Sequence, residues 1–206
     1  MTDSDDLRRV LRAGPPVPAD DDLAALTRGA LAAADADGLV DVGWGAVDSP
    51  VGTLHVAATA AGVVSVAWEG QDWEPRVAAA VSPRIVPLPA RVDEARRQLD
   101  DYFAHRRTTF DLPVDWSLSA GFRRTVLQVL VDVPYGQVVT YRDLAERTGR
   151  PGASRAVGGA MASNPVPIIV PCHRVLQTGG GLGGYSGAGG LDTKRTLLVL
   201  EGALLT

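Results

Sequence analysis

The chain has 206 residues, 46% of them hydrophobic and 21% charged, which suits a globular protein with one or two modest cores and excludes a disordered chain. Its single cysteine and three histidines exclude a disulfide framework and any zinc site of four cysteines or of two cysteines with two histidines. The net charge of -4 divides unevenly: residues 1–114 carry 11 Lys/Arg against 18 Asp/Glu and residues 115–206 carry 9 against 6, so the second half offers a basic field to an anionic partner.

Residues 1–41 read as an acidic leader. Apolar spacing predicts helices over residues 5–12 (Leu7, Val10, Leu11) and 21–34 (Leu23, Leu26, Ala30, Leu31), separated by the helix-breaking run Gly14-Pro15-Pro16-Val17-Pro18. The acidic start is opposite in sign to a signal peptide, and no run approaches the roughly 20 apolar residues of a membrane span. No membrane partner is expected, and a free thiol suits a reducing, cytoplasmic setting. From Val42 the texture turns to β: residues 46–48 lead into a turn at 49–52, and strands are predicted at 54–59 and 63–68 around a second turn at 60–62. An amphipathic helix over 90–104 (Val92, Ala95, Leu99, Tyr102, Phe103) completes a small domain at 42–114, and Leu112-Pro113-Val114-Asp115 reads as a linker.

Residues 115–206 read as mostly helical. A stripe at Phe122, Val126, Leu127, Leu130 and Val131 predicts a helix over 120–131, followed by a turn at 134–136. Short helices at 141–148 and 153–162 flank Gly149-Arg150-Pro151-Gly152, the pattern of a helix-turn-helix. The fold class is therefore α+β: a small N-terminal β-sheet with a helix, then a C-terminal helical domain containing a helix-turn-helix and the cysteine.

The second helix of that pair carries Ser154, Arg155, Ala156, Gly158 and Gly159. Two adjacent glycines in a helix cost about 1 kcal/mol each relative to alanine. Either another helix packs tightly there, or an outside surface approaches the backbone, and the lone cation Arg155 on a smooth helix suits a narrow groove. Asn164-Pro165-Val166-Pro167 is a stiff turn, because two prolines restrict the backbone and Asn164 can bond nearby main-chain groups. The apolar run 166–170 reads as a short buried strand ending at Pro171, with Cys172, His173 and Arg174 directly after it. A cysteine among apolar neighbours is ordinarily inert, whereas adjacent cations favour the thiolate that a nucleophile needs. Residues 179–190, with eight glycines around Tyr185 and Ser186, form either a flexible linker or a pocket wall.

In this order, VVTY, SRAVGGAM, NPVPIIVPCHRV, GYSG and LEG resemble the O6-alkylguanine-DNA alkyltransferases, and residues 48–66 and 98–112 resemble that family's N-terminal domain. The resemblance covers roughly residues 42–203 and leaves the leader outside it. It implies DNA repair by irreversible transfer of an alkyl group from O6-alkylguanine, and from O4-alkylthymine, to Cys172 after the base is flipped out of the duplex. The partner so implied is double-stranded DNA bearing that lesion, met by a monomer with cooperative loading left open. No cofactor and no metal are implied. By the same resemblance His173 is the base through a water, oriented by Glu201; Tyr141 donates a proton to the departing guanine; and Asn164 is the hinge. Val175, Tyr185 and Ser186 contact the base, and Arg155 fills the gap in the stack while Ser154, Ala156, Gly158 and Gly159 face DNA. The glycine run after Ser186 is longer than the family's usual one, which alters the pocket rim. A lesion-binding or regulatory helix-turn-helix protein and a thiol hydrolase are the alternative readings.

Overall fold

The computed structural model describes residues 20–204; the helix predicted over 5–12 lies outside them. The first described element, α1 (Asp20–Ala36), matches the second leader helix but buries none of its residues. It meets the body through an ion pair between Asp35 and Arg91. No described helix is long and apolar enough to cross a membrane.

Four strands, β1 (Val42–Val47), β2 (Leu54–Thr59), β3 (Gly62–Trp68) and β4 (Ile85–Pro87), form a sheet of order β3-β2-β1-β4. The hairpins β1–β2 and β2–β3 are antiparallel, and β4 joins β1 in parallel after the crossover helix α2 (Glu74–Ala80). Gly62 sits at φ +134°, and a Cβ there would lie 2.2 Å from the Pro113 carbonyl oxygen, so only glycine fits. That close approach corrects the linker reading of residues 112–115. Val63 N–H donates to Pro113 O and Asp115 N–H to Val63 O, both at 2.9 Å, so the segment pairs with the edge of β3 and satisfies its backbone there.

Helix α3 (Asp93–Phe103) buries Ala95, Gln98, Leu99 and Tyr102 along one stripe. Leu99 and Tyr102 share a continuous core with Val126, Leu127 and Leu130 of α4 (Gly121–Val131), Leu197 of α7 (Leu191–Leu200) and Cys172. The two halves of the chain therefore bury their apolar faces against each other.

The helix pair is α5 (Tyr141–Arg147) and α6 (Ser154–Ala162). A capping box starts α5: Asp143 N–H donates to Thr140 Oγ1 at 3.1 Å, and Thr140 N–H to the Asp143 carboxylate at 2.8 Å. Gly149 at φ +70° ends it. Strand β5 (Val139–Thr140) pairs in parallel with β6 (Val175–Leu176), which fastens the start of α5 to the chain just beyond Cys172.

Residues 166–170 do not form the predicted strand. They make a tight turn in which Val170 N–H donates to Val166 O at 2.8 Å and Ile168 adopts φ +74°. Pro165 and Pro167 lack the N–H donors a ladder needs. Asn164 substitutes for a partner strand: its side chain donates to Val170 O at 2.8 Å and accepts from Val166 N–H at 3.1 Å. A β-branched residue at positive φ is held only where its surroundings over-determine it, as this buried asparagine does.

Candidate active site

A cleft of about 340 Å³ is lined by Tyr141 from α5, Gly158, Met161 and Ala162 from α6, Cys172, and Gly184, Tyr185 and Ser186 from the glycine-rich loop. The loop is therefore a wall rather than a linker. Two of its glycines are required by close approach: a Cβ at Gly183 would stand 2.6 Å from the Tyr141 hydroxyl, and one at Gly187 2.5 Å from the Tyr185 ring. From the N-terminal half, Gln71 donates to Ser186 O at 3.1 Å, and Trp68 meets Tyr185 edge to face at 6.0 Å between centroids.

Cys172 opens a single 3₁₀ turn, Cys172–Arg174, and all three of its side chains are buried. Burial pushes the Cys172 thiol above its ordinary range; a hydrogen bond from Asn164, the charge of Lys194 and nearby backbone amides oppose this. The cations adjacent in sequence do not supply the expected support. Arg174 is committed to Glu201, at 2.8 and 2.9 Å, and to Val133 O at 2.6 Å, and burial holds His173 below its ordinary value and so neutral. The cation that acts on the thiol is Lys194, which sequence reasoning missed. The signal was there: Lys194 shares the buried stripe of α7 with Thr193, Leu197 and Leu198. Its ammonium donates to Val175 O at 2.6 Å and to Leu182 O, and burial lowers its pKa to about 8.

Behind the thiol, His173 Nε2 lies 2.9 Å from Glu201 Oε1, both side chains fully buried. Burial raises the Glu201 carboxyl, but hydrogen bonds from His173 and Arg174 and the Arg174 charge outweigh it and bring the pKa down to about 2. An ionised carboxylate only accepts, so Nε2 carries the proton and Nδ1 keeps the free lone pair. That Nδ1 is buried with no hydrogen-bond partner among the described residues.

Tyr141, Tyr185, Ser186, Gly158 and Cys172 thus meet at one cleft, with His173, Glu201 and Asn164 packed behind it. Burial raises the Tyr141 phenol above its ordinary value, so it stays protonated at neutral pH. Val175 does not line the cleft, and its carbonyl is held by Lys194. On α6, Val157, Ala160 and Met161 face inward while Arg155, Ala156 and Gly159 are exposed and Ser154 and Gly158 partly so. A Cβ at Gly159 would meet nothing within 4 Å, and one at Gly158 only the Tyr141 ring at 4.0 Å. Among the described residues no helix packs closely on the glycine pair, which argues against internal packing and leaves a smooth outer face. Gly159→Ala is expected to stabilise the protein by up to about 1 kcal/mol and to weaken binding at this face. Thermal melts and a binding titration at fixed salt check both directions.

A lone thiol on a cleft floor, a buried imidazole–carboxylate pair behind it and a bare helix face beside it define a thiol-dependent group-transfer protein with a docking helix. The chain matches the 6-O-methylguanine DNA methyltransferase family over two segments, the ribonuclease-like domain at residues 42–116 and the DNA binding domain at 121–203, and it belongs to that family. It is 42% identical over 156 residues to the methylated-DNA-protein-cysteine methyltransferase of Mycolicibacterium paratuberculosis, covering 75% of this chain and 89% of that protein. It is 36% identical over 169 residues to the Rattus norvegicus protein of the same name, covering 76% of this chain and 80% of that protein. Among solved structures, Mycobacterium tuberculosis OGT in complex with DNA matches with a TM-score of 0.68 at 37% identity, over 77% of this chain and 92% of that one. The leader lies outside both matched segments.

Proposed function

We propose that this protein repairs duplex DNA by moving the alkyl group of O6-alkylguanine, and of O4-alkylthymine, onto Cys172, once per molecule. A cleft walled by Tyr141, Met161 and Tyr185 takes the base only after it leaves the stack, so flipping precedes chemistry. Arg155, exposed on the face of α6, fills the vacated space, and the bare glycine pair lets the helix backbone close on the duplex.

His173 Nδ1 takes the thiol proton through a water, and Glu201 stabilises the imidazolium that results. The thiolate attacks the alkyl carbon; the new C–S bond forms as the C–O bond to the base breaks, and the bond pair leaves with guanine. Tyr141 supplies the proton that guanine then needs, and the proton held by His173 balances it. The thioether has no hydrolytic route back, so the protein is consumed. Asn164 braces the turn that carries the thiol. The observation that carries this reading is that the one cysteine both lines the cleft and adjoins a buried histidine whose Nδ1 is free.

The test is a mass spectrum after incubation with a duplex containing O6-methylguanine. One methyl per protein, mapped to the Cys172 peptide, supports the proposal. Tight binding with no mass change favours a lesion-binding protein, and several products per protein rule out a single-use acceptor.

A further inference from the structure

Glu201 accepts from five donors, and one of them comes from the N-terminal half of the chain. Tyr102 Oη donates to Glu201 Oε1 at 2.7 Å, on the same oxygen that His173 Nε2 reaches at 2.9 Å and Arg174 Nη2 at 2.8 Å; Arg174 Nε and Gly136 N–H take Oε2. Tyr102 is fully buried on α3, and the ring is fixed by Phe103, Phe110 and Tyr135 with centroids 5.1, 5.3 and 5.9 Å away. As a stripe residue of an amphipathic helix it needs no hydroxyl, and phenylalanine would fill the same apolar volume.

We infer that Tyr102 is a positioning residue of the transfer reaction: its hydroxyl orients the Glu201 carboxylate that holds His173, so the N-terminal half completes the relay behind Cys172. The inference rests on the function proposed above. A carboxylate oxygen with three donors has less freedom to rotate, and each donor makes it a weaker acceptor for the others. Tyr102 therefore fixes the direction of the imidazole and keeps it harder to protonate. Burial and the Glu201 charge both push the Tyr102 phenol well above its ordinary range, so it stays a neutral donor at every working pH. The other titratable and charged groups around this pair are Arg174, Lys194, Cys172 and Tyr135, whose hydroxyl donates to Leu200 O at 2.9 Å and lies 3.5 Å from His105 Nδ1. None of them loses a partner when the Tyr102 hydroxyl is removed.

The experiment is a set of single-turnover transfer rates from pH 5 to 9, on duplex DNA with O6-methylguanine, for the full chain and for Tyr102→Phe and Tyr102→Leu. The acid limb of the rate profile reports protonation of His173. Without the hydroxyl, Glu201 supports the imidazolium better, and the limb is expected to move up by about one pH unit, with transfer about tenfold slower on the acid side. The two variants differ in packing and share only the lost hydroxyl, so both must show the same shift, with melting temperature and affinity for undamaged DNA tracking fold. A uniform drop at all pH values, a shift in only one variant, or no change overturns the inference. If the unaltered chain transfers nothing at any pH, the proposed function falls with it; if it transfers and the limb stays put, Tyr102 alone is refuted.

Discussion

Cys172→Ala is expected to abolish alkyl transfer outright while leaving both the fold and the hold on DNA nearly intact. The thiol is a small buried group at the edge of the main core, so its loss opens a space no larger than one sulfur and costs at most about 1 kcal/mol. Arg155, Ala156 and Gly159, the exposed residues of α6 outside the cleft lining, do not touch the sulfur's cleft. No second cysteine can take over, because the chain has one. The check is a pair of measurements on one preparation: no methyl gain with lesion-bearing DNA, and an affinity for that DNA close to the original. Residual transfer would place the acceptor elsewhere, and lost binding would tie the thiol to the docking surface.

Glu201→Gln is expected to damage stability and rate together. The carboxylate neutralises Arg174, which is 5% exposed, and an amide leaves that guanidinium buried without its counter-charge. Breaking a buried pair from one side costs about 3 kcal/mol or more. Glu201 has a folded pKa of about 2, below its ordinary 4.5. Its contribution is therefore present in full above pH 4.5 and disappears as pH falls from there toward 2, and the variant should lose that acid-side decline in stability. The rate should fall about 100-fold at neutral pH, because an amide can turn its NH₂ toward Nε2 and force the proton onto Nδ1, removing the base. The deficit should shrink only at the alkaline end, because burial holds the Cys172 thiol above its ordinary range and the thiolate forms unaided only beyond that raised value. Denaturant melts from pH 2 to 7 and rates from pH 6 to 10 check both halves; a rate loss independent of pH would reduce Glu201 to a packing role.

What was legible along the chain follows from which physical terms are local. Helical spacing identified α1, α3 and α4, and the Gly/Pro run between α5 and α6 marked the helix pair, because periodicity and turn chemistry act over a few residues. The run at 166–170 misled for the same reason: its apolar character was clear, but whether it extends or turns depends on Asn164 spanning it and on the prolines denying it a ladder. Residues 112–115 looked like a linker because their partner, β3, lies some 50 residues away in the chain.

The sequence by itself determined the α+β class, the smooth helix with its single arginine, and the candidate nucleophile, since a lone cysteine in a distinctive run needs no contacts to be noticed. Tertiary structure alone decided what surrounds that nucleophile. Arg174, its near neighbour in the chain, turns away to Glu201, and the cation that acts on the thiol is Lys194 on α7. Tyr102, a stripe residue of α3, becomes a donor to the Glu201 carboxylate. Electrostatic support falls off with distance through space rather than along the chain, and burial strengthens it by removing water, so partners of this kind are visible only once the two halves have packed together.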